Sequence, residues 1–159
     1  MDNAHNVLLT GAAGVGKSHL LKVIIERLRA LHPTEGAVAV CAPTGIAALN
    51  VGGVTIHSFA GIGLGRGTAE DLFRKLGAAA KGRWTSVVVL VIDEVSMLDN
   101  VLIDKLDHIA RLCRPQKKSL PFAQVVISAS CLPSVWAILA RNSASTRRCG
   151  ERRPCRPSS

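Results

Sequence analysis

The octapeptide Gly11-Ala12-Ala13-Gly14-Val15-Gly16-Lys17-Ser18 constrains this chain more than any other feature it carries. It satisfies G-x-x-x-x-G-K-[ST], and its setting matters as much as its letters. Residues 7–10 form an apolar run that stops at the first glycine. A helical pattern begins near Ser18, where Leu20, Leu21, Ile24, Ile25 and Leu28 fall on one face. Glycines let the backbone curl until successive N–H groups point inward, and the helix adds the positive end of its dipole. A phosphate fits that concavity. Lys17 then reaches the β- and γ-phosphates of a nucleotide, and the Ser18 hydroxyl is placed for Mg²⁺. The plainer alternative is a glycine-rich turn with an exposed lysine, and the strand-before, helix-after placement weighs against it.

The rest of the chain alternates strand and helix signals. Residues 38–42 read as a buried strand, followed by a turn at Pro43-Thr44-Gly45 and a short alanine-rich helix. Residues 52–67 hold six glycines in sixteen positions and read as loop more than element. A helix is expected over 69–80 and another over 98–112, with Leu98, Leu102, Leu106 and Ile109 on one face. Residues 87–92 are six consecutive apolar residues rich in valine, the pattern of a central parallel strand covered on both faces. Residues 124–128 read as a further strand. This alternation predicts an α/β layered domain with right-handed crossovers.

Composition narrows the class. A chain of 159 residues supports one domain. Apolar runs reach at most six residues, far below the roughly 18 that a membrane span needs. Asp2, with no cationic-then-apolar leader after it, leads us to expect no signal or transit peptide and a soluble, intracellular chain. Twenty basic against eleven acidic residues give +9, which invites a polyanionic partner. More than half of that charge lies in 132–159, where Arg141, Arg147, Arg148, Arg152, Arg153 and Arg156 face only Glu151. Five cysteines, with no CxxC and no zinc spacing, read as free thiols in a reducing compartment.

Two further groups carry chemistry. Asp93 and Glu94 end the valine-rich run, so their carboxylates stand at the carboxyl end of a buried strand. In that place Asp93 can hold Mg²⁺, directly or through water, and Glu94 can orient the water that attacks a γ-phosphate. Without the upstream loop the pair would read as an ordinary helix N-cap with a first-turn acid. The pair favours ATP hydrolysis over simple phosphate transfer, and no guanine-selecting Asn-Lys-x-Asp occurs. The other group is Cys41-Ala42-Pro43-Thr44-Gly45-Ile46-Ala47-Ala48, followed by Thr55-Ile56-His57-Ser58-Phe59. Small residues, hydroxyls, His57 and Phe59 can meet a backbone phosphate and stack a base. A tight structural turn with a packed Phe59 explains the same letters.

With these blocks in view, the chain resembles the Pif-type helicases, RecD-like superfamily-one enzymes that unwind DNA 5′-to-3′. The resemblance rests on GAAGVGKS at 11–18, APTGIAALNVGGVTIHSFAGIG at 42–63, VIDEVSMLDNVLIDKLDHIAR at 91–111, and Pro121-Phe122. It implies a P-loop NTPase (RecA-like) parallel sheet with flanking helices, here incomplete, and ATP as substrate with Mg²⁺ as cofactor. Lys17, Asp93 and Glu94 would be catalytic, Ser18 and Asp93 would hold the metal, and 11–18 would bind ATP. Thr44, Thr55, His57, Ser58 and Phe59 would touch single-stranded DNA or DNA junctions. The family's setting is genome maintenance, including repair, recombination and telomeres, in the nucleus or mitochondrion of a eukaryote and otherwise in the cytoplasm.

The departures are equally specific. Where the family continues Gly-Asp-x-x-Gln-Leu-Pro-Pro, this chain reads Ala129-Ser130-Cys131-Leu132-Pro133-Ser134, with neither the Asp nor the Gln. The resemblance also leads us to expect that the family's glutamine-bearing segment before the first strand, and its second motor domain with an arginine finger, lie outside these 159 residues. An arginine finger is worth roughly 10³–10⁵ in turnover. These 159 residues are therefore expected to bind ATP without unwinding DNA. The alternative is a nucleotide- or single-stranded-DNA-binding remnant with no enzymatic activity. Residues 1–130 are expected to form the partial motor domain, and 131–159 a basic tail that is disordered or out of frame.

Overall fold

The computed structural model describes residues 6–12, 14–114, 124–129 and 146–149. Strand β1 (Asn6–Thr10) runs into the glycine loop, and helix α1 (Lys17–Leu31) leaves it. The helix stops at His32, whose N–H caps Leu28, because Pro33 disfavours helix in the residue before it. Strand β2 (Val38–Ala42) leads to helix α2 (Gly45–Asn50), and strand β3 (Val54–Thr55) to helix α3 (Ile56–Ala60). Thus the glycine-rich stretch holds two short elements besides its loops. Thr44 and Thr55 start the two helices by accepting the N–H of Ala47 and Ser58, each at 3.2 Å. Gly61, at φ 71°, ends α3.

The helix expected over 69–80 is two helices, α4 (Ala69–Lys75) and α5 (Ala78–Ser86). Leu76 is extended and buried between them, and glycine in a helix interior costs about 1 kcal/mol relative to alanine, so Gly77 is a natural break. Strand β4 (Val89–Ile92) starts later than its apolar run. Val88 and Val89 both donate to Ala37 O, and Val87 O is taken by Arg114, so the ladder begins at Val89. A 3₁₀ turn (Val95–Met97) precedes helix α6 (Asn100–Cys113), capped by Asp99. Strands β5 (Gln124–Ala129) and β6 (Thr146–Cys149) complete the described elements.

All the pairings are parallel, in the order β3-β2-β4-β5-β1-β6. Alternate residues face opposite sides of the sheet. Leu9, Val40, Val89, Val91 and Val126 pack with Leu21, Ile25 and Leu28 of α1. Leu8, Cys41, Leu90 and Ile92 pack on the other side with α3 to α6, around Trp84 and Ile109. Of the α1 face read from the sequence, Leu20 departs: it is exposed. Within the segment expected to form a tail, Thr146–Cys149 add a strand beside β1. Pro121-Phe122 lies outside the described residues.

Cys41 and Cys113 are free thiols, as expected of a chain with no disulfide pattern. Burial pushes the Cys41 thiol up to about 12 and raises Cys113 as well. Alkylation needs the thiolate. Iodoacetamide at mildly alkaline pH is therefore expected to leave Cys41 unlabelled in the native chain and to label it only in denaturant, read by peptide mass spectrometry. Equal labelling with and without denaturant would contradict the burial.

Candidate functional site

Because every strand runs the same way, the segments that follow β1, β2, β3 and β4 leave at one edge of the sheet, the carboxyl edge where ligands of open α/β sheets bind. The glycine loop, Thr44, residues 55–59 and the Asp93-Glu94 pair all belong to it. Sequence separation hides this grouping, and parallel topology creates it.

In the loop, Gly14 and Gly16 take φ of 81° and 87°, a backbone region that strains any residue with a Cβ. Gly16 leads into α1 with no side-chain cap, so the first N–H groups of a 15-residue helix are left for a ligand. Lys17 folds back on its own loop: its Nζ donates to Gly11 O at 2.8 Å and Ala12 O at 2.9 Å. Gly11 is half-buried, whereas Ala12, Val15 and Ser18 are exposed. Ala13 lies outside the described residues.

Asp93 is 3 % exposed, the one buried carboxylate among the described residues. Its N–H donates to Cys41 O at 2.9 Å, and its Oδ1 accepts the N–H of Glu94 at 3.0 Å. Glu94 is half-buried and is the sole described non-glycine residue at positive φ (49°). A carboxylate residue held there stores about 1–3 kcal/mol of strain, which the surrounding structure must impose. Nothing in the residues around Glu94 marks that twist beforehand. On the strand between β4 and β1, Ser128 pairs with Leu9, one position beyond the Ile127–Ile92 pair. By alternation Asp93 and Ser128 share the α1 side with Val91 and Val126. Ser128 Oγ is wholly buried and has no hydrogen-bond partner among the described residues.

The donor set of Ser18 hydroxyl and Asp93 carboxylate is all oxygen, the preference of a hard cation such as Mg²⁺. The orphaned Ser128 oxygen on the same side adds an unmet polar group to that neighbourhood. The residues present therefore fit a Mg·nucleotide.

The second block divides. Thr44 and Ser58 are exposed, and Thr55 and His57 half-buried. Both threonine hydroxyls accept a capping bond and keep a proton to donate. Phe59 is 5 % exposed, with its ring 5.1 Å from that of Trp84, the packed arrangement that the sequence also allowed and not the exposed ring that base stacking needs. Sequence reasoning missed Arg83, Trp84 and Arg114. Arg83 and Trp84 donate to the carbonyls of residues 58–60, and Arg114 to carbonyls at the end of α5.

A parallel sheet of this order, with a G-x-x-x-x-G-K-S loop after one strand and an acidic pair after another, defines a P-loop NTPase domain of RecA-like fold. The PIF1-like helicase family matches residues 1–131, and the chain belongs to that family. It is 51 % identical over 126 residues to the ATP-dependent DNA helicase PIF1 of Saccharomyces cerevisiae, covering 78 % of this chain and 14 % of that protein. Against the crystal structure of Pif1 helicase from Candida albicans the TM-score is 0.80 at 39 % identity, over 91 % of this chain and 35 % of that one. Pif1 from Bacteroides in complex with ADP-AlF3 and ssDNA gives 0.66 at 32 % identity, over 89 % of this chain and 33 % of that one. The chain thus spans about a seventh of the curated yeast relative.

Proposed function

We propose that these 159 residues are the Mg·ATP-binding and DNA-contacting part of a 5′-to-3′ DNA helicase. The observation that carries this is the common edge: phosphate loop, acidic pair and exposed threonines leave one end of one parallel sheet. In this reading loop N–H groups and the α1 N-terminus hold the phosphates. Lys17 exchanges its two loop carbonyls for β- and γ-phosphate oxygens, and Ser18 and Asp93 hold Mg²⁺, which when bound neutralises phosphate charge. Glu94 orients the attacking water. Thr44, Thr55, His57 and Ser58 meet single-stranded DNA or a junction through backbone phosphates, which gives binding without base specificity. A setting in repair, recombination or telomere maintenance, in the nucleus or mitochondrion of a eukaryote and otherwise in the cytoplasm, is part of the proposal.

The chain alone is assigned binding without strand separation. One observation supports the remnant reading beside it: residues 129–134 lack the Asp and Gln that the family places after β5. Calorimetric titration with ATP, with and without Mg²⁺, decides between them when paired with phosphate release on oligothymidylate. Mg²⁺-dependent binding with DNA-stimulated turnover supports an enzyme, and binding without turnover the remnant. Absence of nucleotide binding would overturn both.

A further inference from the structure

The segment assigned to DNA is a five-residue helix that could not hold its shape alone, since an isolated helix needs about 12–15 residues to be even marginal in water. Its last carbonyls are fixed from outside, by two neighbouring side chains of α5. Arg83 Nε donates to Phe59 O at 2.9 Å, and another guanidinium nitrogen donates to Ser58 O at 3.0 Å. Trp84 Nε1 donates to Ala60 O at 3.1 Å from a fully buried position. Together they take three consecutive carbonyls at the C-terminus of α3, where the helix leaves carbonyls without internal partners. A cation there also meets the negative end of the helix dipole. The backbones lie close as well: a Cβ at Gly61 would fall 2.6 Å from Ala80 Cβ.

What lies on the other side of Arg83 and Trp84 gives the arrangement a direction. Arg114, the residue that ends α6, donates to Trp84 O at 2.6 Å, Thr85 O at 2.9 Å and Val87 O. Val87 opens the short run into β4, whose end carries Asp93 and Glu94, and α6 begins just beyond that pair. The helix that holds 58–60 is therefore tied, at its own C-terminus, to the far end of α6, so that α5, the run into β4 and α6 are joined around Arg114.

From this we propose that Arg83 and Trp84 are positioning residues for nucleic-acid contact: they set residues 55–59 in place relative to the strand that bears Asp93 and Glu94. The inference rests on the DNA-contact reading above and adds residues that do not themselves touch the nucleic acid.

The test compares Arg83→Gln, Arg83→Lys and Trp84→Phe in the 159-residue chain. Affinity for fluorescent oligothymidylate is read at one fixed salt concentration, amide hydrogen exchange over residues 55–61, and Mg·ATP affinity alongside. Arg83→Gln removes two charge-assisted bonds, so DNA affinity is expected to fall about tenfold. Exchange over 55–61 rises with it, and Mg·ATP affinity stays where it was. Arg83→Lys keeps the charge without the planar fork and recovers only part of both losses. Trp84→Phe keeps the ring against Phe59, drops the Ala60 bond and moves both readouts the same way by less. Full recovery by lysine with exchange unaltered would mark Arg83 as a direct phosphate contact and overturn the proposal. So would DNA affinity unchanged in Arg83→Gln while the wild-type chain binds, which leaves the DNA reading intact. A wild-type chain that fails to retain oligothymidylate overturns that reading and this one with it.

Discussion

Replacing Lys17 with alanine is expected to weaken Mg·ATP binding by about 10- to 100-fold while leaving the melting temperature of the nucleotide-free chain almost unchanged. The two halves of this expectation come from the same side chain in two states. Without nucleotide, Lys17 Nζ satisfies itself on Gly11 O and Ala12 O, and the second of these bonds is exposed to water. Bonds of that kind contribute about 0.5–1.5 kcal/mol net, less when water competes, and an alanine side chain buries no charge in exchange. With nucleotide bound, the same ammonium faces ionised oxygens, and charge-assisted bonds are roughly twice as strong as neutral ones. Stabilisation by a ligand follows RT ln(1 + [L]/Kd), so at fixed ATP the wild-type chain gains thermal stability that the variant does not. Thermal unfolding with and without Mg·ATP reads both halves at once. A variant that keeps the full ATP-induced shift would remove Lys17 from the site.

The parts of this molecule that the sequence made legible are those where chemistry dictates letters over a short span. Phosphate capture needs glycines at positive φ, a lysine and a hydroxyl within eight residues, and Gly14 and Gly16 adopt those angles. A strand covered on both faces needs a continuous apolar run, and β4 provides one, with Asp93 at its end. The threonines were harder. Thr44 and Thr55 stand at helix starts, and the same hydroxyl that a DNA phosphate would meet is already an N-cap, so the letters fit two roles together. Phe59 shows the limit from the other side. Its aromatic ring suited a stacked base, and only the contact with Trp84, 25 positions away, places it in the core.

Long-range polar ties leave no local trace at all. Arg83 reaches back 24 and 25 residues and Arg114 reaches back 27 to 30, and nothing in their flanking sequence marks them off from surface arginines. The break at Leu76-Gly77 had a visible cause in Gly77, yet its outcome depended on where Leu76 could be buried. These features hold the short helices in place without any motif to announce them.

The largest loss of stability is expected from Arg114→Leu, about 3–5 kcal/mol, out of the roughly 5–15 kcal/mol that holds a domain together. Arg114 is 8 % exposed, and its guanidinium donates to Trp84 O, Thr85 O and Val87 O. Desolvation pulls its pKa below the ordinary arginine value, but arginine remains charged in proteins and so keeps every donor. Those carbonyls end α5 and open the run into β4, where the helix itself supplies no partners. Leucine matches some of the volume and none of the donors, so buried carbonyls are left unpaired at about 1–3 kcal/mol each, with partial relaxation limiting the sum. Arg114→Lys places a compact ammonium where a planar fork was and is expected to recover less than half of the loss. Urea unfolding monitored by tryptophan fluorescence in a Trp136→Phe background measures both, because the remaining ring, Trp84, is fully buried and bonded to Ala60 O of α3. An Arg114→Leu chain within about 1 kcal/mol of wild type would mean that the carbonyls find other partners, and that α5 is held by its apolar face alone.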